Sequence, residues 1–195
     1  IGMGLARAHR VTYVGELGWE LYVSSDQAAH VFETLTEAAP EMKLCGMHTL
    51  DSCRTEKAFR HFGHDISDED HVLEAGLGFA VKPDKGEFIG RDAVLRKREE
   101  GLARRLVQFQ LRDAEPMLFH NEAIIRDGKM VGYLTSGNYG HHLGAAVGLG
   151  YVPCKGEAPA DVLASTYEIE IAGTRHEAMA SLRPLYDPRS ERVKQ

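Results

Sequence analysis

Cysteine is scarce in this 195-residue sequence. Only Cys45, Cys53 and Cys154 are present, an odd number with no Cys-x-x-Cys spacing. That argues against a disulfide framework and fits buried thiols in a reducing compartment. No run approaches the ~18 apolar residues of a membrane-crossing helix. No charged segment leads into an apolar stretch, so there is no signal-peptide pattern. Positive charge is not in excess: 23 Lys and Arg stand against 29 Asp and Glu, a net charge of −6. A mildly acidic chain is a poor match for nucleic acid or an anionic membrane. Internal repeats and low-complexity runs are absent too. The opening, Ile1-Gly2-Met3, does not begin on Met and reads as a chain cut within a domain.

What is present is ordinary globular composition, with 43% hydrophobic and 27% charged residues. The length suits one large domain or two small ones and is enough for a core without staples. The charge is uneven. Residues 1–101 hold 12 basic and 18 acidic side chains, whereas residues 102–195 hold 11 of each.

Patterning predicts a β-hairpin near the start, Arg10–Val14 and Trp19–Val23 around Gly15-Glu16-Leu17-Gly18. In that register Val14 faces Trp19 and Tyr13 faces Glu20. Trp19, Leu21 and Val23 point to the core, and Tyr13, Glu20 and Tyr22 share the other face. A helix follows over about 27–39, stopped by Pro40, with Ala28, Val31, Phe32 and Leu35 as its stripe. A second helix is expected over about 47–59. Its stripe is Met47, Leu50, Cys53 or Arg54, and Ala58. A short third helix over about 92–100 ends at Gly101. From Leu102 the pattern changes to short strands, with an Asp127-Gly128 hairpin turn and strands at about 131–136, 146–152, 162–171 and 175–181. Evenly spaced strands of this kind predict a small antiparallel β-barrel or sandwich over 102–195, after an α+β part over 1–101.

Few groups offer chemistry on their own. His61, His64, Asp65 and His71 have the composition of a metal site, but without thiolates or ligand spacing they read as a polar loop, and no metal ligand is assigned. His141-His142 reads as a hairpin turn. Thr135–Gly140 has glycines that approach an anion, yet lacks the Lys and helix of a phosphate loop. Cys53 beside Arg54 is a candidate for a lowered thiol pKa, but its place near the apolar stripe points to packing. The best candidate is Glu20 between two tyrosines. An exposed carboxylate accepts a pair of parallel N–H donors, and aromatic neighbours suit a flat ring.

Tyr13-Val14-Gly15-Glu16-Leu17-Gly18-Trp19-Glu20 resembles a signature of glycine-cleavage T-protein-like aminomethyltransferases. The resemblance continues through Leu50–Lys57, His61–Asp65, Leu73–Phe79, Phe88–Arg91, Gly132–Gly137 and Leu149–Pro153. Phe59–Asp65 and Tyr139-Gly140-His141 look more like the folate half of dimethylglycine and sarcosine dehydrogenases. Stand-alone T-proteins often carry Arg where this chain has Leu50, which points the same way.

The resemblance implies the end of a ferredoxin-like folate-binding domain over 1–101 and a C-terminal β-barrel over 102–195. It implies transfer of a one-carbon unit to tetrahydrofolate, with FAD in an N-terminal part outside this chain. Tyr13, Glu20, Leu21, Tyr22 and Arg54 are the implied folate-binding residues, Glu20 accepting the pterin N–H pair. Arg54 is first a partner for Glu20, Glu56 or Glu74, and His64-Asp65 a structural turn. The family's catalytic Asp lies upstream of Ile1, so no catalytic residue is assigned. Folate, an N-methylated amine, and further N-terminal domains or a partner subunit are the implied partners. Bacterial cytoplasm or mitochondrial matrix is the implied location. A stand-alone T-protein fragment and a non-catalytic scaffold with this fold are the rival readings.

Overall fold

A computed structural model describes residues 1–195. The first half is sparse in regular structure. Strand β1 (Ala6–His9) pairs antiparallel with β2 (Glu20–Val23), and helices α1 (Ala28–Ala38), α2 (Met47–Glu56) and α3 (Arg91–Glu100) follow. The second half is a closed barrel of β3 (Arg104–Leu111), β4 (Ala123–Arg126), β5 (Lys129–Gly140), β6 (Ala145–Pro153), β7 (Tyr167–Ile171) and β8 (Thr174–Ser181). Its strand order is β3-β6-β5-β4-β7-β8, all pairs antiparallel. Closure leaves no edge strand to cap.

The barrel carries the core. Val107, Phe109, Leu134, Val152 and Ile169 alternate inward along their strands and pack as one cluster. Asp127 and Gly128 turn β4 into β5 with φ of 50° and 79°, the left-handed pair that a two-residue hairpin needs. Short helix α4 (Pro159–Ala164) replaces the start of the strand expected at 162–171. Pro159 suits a first helical position, and the Asp161 carboxylate accepts the Ala158 N–H at 3.1 Å.

The first hairpin departs from the sequence reading. The partner of β2 is β1, with His9 opposite Glu20, while Arg10–Val14 belongs to the connecting loop. Trp19 is 61% exposed and Leu21 is also exposed, so neither faces a core. Of the predicted α1 stripe only Val31 is buried, and Phe32 is half exposed.

Helix α2 is shorter than expected because Ala58 takes φ 52°. The Phe59 N–H then reaches the Arg54 carbonyl at 2.8 Å and the Ala58 N–H reaches that of Thr55 at 3.0 Å. This left-handed closure ends the helix with Ala where Gly is usual. The buried face of α2 is polar, not the predicted apolar stripe: Ser52, Arg54, Thr55 and Glu56 are buried and Met47 is exposed.

Candidate functional site

Four consecutive polar side chains, Arg54-Thr55-Glu56-Lys57, are buried where α2 meets the barrel. Each has its own destination. The Arg54 guanidinium donates to Asp65 at 2.8 Å, Asp51 at 3.1 Å and Ser136 Oγ at 3.0 Å. Thr55 Oγ1 accepts from Asn138 Nδ2 at 2.9 Å. Glu56 Oε1 accepts the backbone N–H groups of His142 and Leu143 at 2.7 and 3.1 Å, and Oε2 lies 2.7 Å from His142 Nδ1. Lys57 Nζ donates to the Asp187 carboxylate at 3.0 Å and its carbonyl at 2.7 Å. Gln108 closes the seam, donating to the Thr55 and Glu56 carbonyls and accepting the Leu185 N–H. Unpaired polar groups here would be costly, so pairing specifies how the two halves meet.

Arg54 therefore takes Asp51 and Asp65 as partners, not Glu20, Glu56 or Glu74. Asp65 also accepts the His61 N–H at 2.9 Å and Thr135 Oγ1–H at 2.5 Å, so its carboxylate ties this turn to the barrel. No group of His, Cys, Asp and Glu has metal-site geometry. Above Arg54 lies a polar cleft of about 270 Å³ lined by His48, His61, His64, His120 and Asn138 among others.

The hairpin face is open. Glu20 is exposed, and the Tyr22 hydroxyl donates to its Oε2 at 2.8 Å. That bond holds the Tyr22 pKa above the ordinary value. The His9 ring sits 4.9 Å from the Tyr22 ring. So Glu20 and Tyr22 share a face as alternation required, while Tyr13 stands apart from the strand pair. Tyr13 donates its hydroxyl to the Arg60 carbonyl at 3.0 Å and stacks on Phe59. Burial raises its pKa.

Cys53 is not activated: burial, then the nearby Glu56 and Glu16 charges, push its thiol up. Cys154 is buried, Cys53 half-buried and Cys45 exposed, so the expected burial of the thiols holds fully only at Cys154.

Comparison with known proteins places this architecture. Residues 1–85 match the model of the GCVT N-terminal domain, and residues 104–187 match that of the glycine cleavage T-protein C-terminal barrel domain. The chain belongs to the glycine-cleavage T-protein family. It is 44% identical to a 4-methylaminobutanoate oxidase (formaldehyde-forming) of Paenarthrobacter nicotinovorans, covering 100% of this chain and 23% of that one. It is 37% identical to mitochondrial sarcosine dehydrogenase of Homo sapiens, over 97% of this chain and 21% of that one. An aminomethyltransferase of Halothermothrix orenii is 43% identical over 73% of this chain and 40% of its own. The chain thus spans well under half the length of these curated relatives. The crystal structure of glycine cleavage system aminomethyltransferase T from Bartonella henselae shares the fold, with TM-score 0.81 and 23% identity over 93% of this chain and 50% of that chain. The family resemblance and the α+β architecture with an antiparallel barrel expected from the sequence both stand.

The sequence reading missed the burial of Glu56 and Lys57, the pairing of Glu56 with His142, and the role of Gln108. The available signal is the run of four polar residues at the end of a helix.

Proposed function

We propose that this chain is the C-terminal part of a folate-binding aminomethyltransferase-like unit, within a longer flavin-dependent N-demethylating enzyme. Residues 1–101 contribute the end of the folate-binding domain and residues 102–195 the barrel. The supporting observation is the Glu20–Tyr22 pair on an exposed strand face. One carboxylate oxygen is held by the Tyr22 hydroxyl and the other has no protein donor. A carboxylate so oriented fits a ring that presents adjacent N–H groups, as a reduced pterin does.

Bound tetrahydrofolate would supply the nitrogens that accept the one-carbon unit. Glu20 accepts the ring N–H groups, Tyr22 orients Glu20, and Tyr13 and Leu21 line the approach. Arg54 acts from behind by holding α2 on the barrel. We assign no acid–base residue within this chain, and assign flavin chemistry to other parts of the longer enzyme. The amine is an N-methylated amino acid, which agrees with the names of the relatives. We place the enzyme in bacterial cytoplasm or mitochondrial matrix, acting on small molecules and not on nucleic acid or a membrane.

Titration of the full-length polypeptide with tetrahydrofolate tests this. Glu20→Ala should weaken binding about 10- to 100-fold, the worth of hydrogen bonds to a charged group. Unchanged affinity would favour a scaffold that keeps the fold without folate.

A further inference from the structure

A second cleft, of about 290 Å³, is lined by His48, Thr49, Ser52, Cys53, Glu56, His141 and His142. Its geometry centres on His142. The Glu56 side chain behind it is only 1% exposed, and its Oε2 lies 2.7 Å from Nδ1. Glu56 cannot swing away, because its Oε1 is held by the His142 and Leu143 backbone N–H groups. A side chain at Gly140 would come within 3.0 Å of that oxygen, so the glycine leaves room for the carboxylate. The imidazole plane is fixed too: Tyr186 stacks on it, centroids 4.1 Å apart and planes 19° apart. The ring nevertheless keeps 44% of its surface open.

A buried carboxylate on Nδ1 fixes the tautomer of a neutral imidazole. Nδ1 carries the hydrogen and Nε2 is left as an acceptor. Next to Nε2 stands a second carboxylate, Glu16, whose Oε1 is 4.0 Å away and accepts the Tyr186 hydroxyl at 2.6 Å. That separation is too long for a direct hydrogen bond. It leaves two acceptors facing a shared position. Two cations lie against Tyr186: Lys57 Nζ, which is already bonded to Asp187, and Arg192.

We infer that His142 Nε2 and Glu16 form a binding point for a protonated primary or secondary amine, each accepting one of its N–H groups. The charged and titratable groups around this imidazole are Glu56, Glu16 and Tyr186, with Lys57 and Arg192 against Tyr186 and His48, His141 and Cys53 lining the cleft. The inference deepens the proposed function, on which it rests for the relevance of an amine.

The test is ring-nitrogen NMR on the 15N-labelled chain, with His142→Gln used to assign the signals. At pH 8 Nδ1 should carry hydrogen and Nε2 should not. Dimethylammonium chloride should shift Nε2 saturably, and Glu16→Gln should weaken that response at least fivefold. Tetramethylammonium, which has the charge but no N–H, should give no saturable shift. An Nε2–H tautomer, or equal responses to the two cations, overturns the inference. If His142→Gln fails to fold, assignment by sequential NMR and the Glu16→Gln series still decide it. Tetrahydrofolate binding in the full-length polypeptide separates the two readings. An amine response without folate binding sinks only the folate assignment, and folate binding without an amine response sinks only this one.

Discussion

Arg54 and Asp65 form a buried ion pair at 2.8 Å, with the carboxylate side chain fully shielded from solvent. Both charges have further partners, in Asp51 and Ser136 on one side and His61 and Thr135 on the other. Removing one member leaves the other charged and buried. Arg54→Met or Asp65→Leu alone should therefore cost about 3–5 kcal/mol, and the double variant much less than the sum. Urea unfolding of the two singles and the double measures this coupling. Additive losses would mean that the pair does not act as a unit.

Glu74 offers an acid-side prediction. Burial pushes its pKa up, but bonds from Lys97, the Ala103 N–H and Arg104 outweigh this and leave it below the ordinary value. The lowered value means stability that is complete above the unfolded-state pKa and is lost as pH falls through the folded one. Glu74→Gln should cost about 2–3 kcal/mol at pH 7 by weakening charged hydrogen bonds. It should also flatten the loss of stability below about pH 4.5. Thermal unfolding between pH 3 and 7 reads both effects.

The alkaline side is governed by Tyr151. Burial, with the Asp70 charge nearby, raises its hydroxyl from 10.0 to about 12, and that hydroxyl donates to the Asp65 carbonyl at 3.0 Å. A raised value means stability intact below pH 10 and lost as pH rises through 12. Tyr151→Phe should lose about 1 kcal/mol at neutral pH and then show a shallower alkaline decline. Tyrosinate absorbance against pH, compared between the two proteins, checks the assignment.

Gly15 and Gly144 make a matched pair. Both have positive φ, 79° and 72°. A Cβ on Gly15 would fall 2.2 Å from Lys57 Cγ, whereas one on Gly144 meets nothing within 4 Å. Gly144→Ala should cost only the backbone penalty, about 1 kcal/mol. Gly15→Ala should cost about 3 kcal/mol or more, since it adds a clash with a buried side chain. Similar unfolding midpoints for the two would show that the Lys57 contact is soft.

The barrel was legible because its strands alternate cleanly and its Asp127-Gly128 turn has few other conformations available. Glu20 and Tyr22 were legible for the same reason, since period-two alternation survives an error in the partner strand. The partner itself was not. Arg10–Val14 has strand-forming residues, but Tyr13 is drawn onto Phe59 and Arg60 by tertiary contacts that no local pattern records. The α2 seam was hidden differently. Its buried residues are polar, and their partners lie about 80 to 130 positions away at Ser136, Asn138, His142 and Asp187. Hydrophobic periodicity is blind to a face of that kind.

Buried apolar side chains are concentrated in residues 106–178, and before α3 only Val31, Ala58 and Ala75 belong to that class. The β1–β2 ladder thus has little beneath it to oppose transient opening. Its amide hydrogens should exchange with solvent far sooner than those of β3, β5 and β6. Glu20 lies on this easily opened ladder, so a ligand that engages it must also hold the ladder shut. Occupancy then becomes visible as a slowing clock: the exchange lifetimes of Leu21 to Val23 lengthen with ligand concentration while those of the barrel stay where they were.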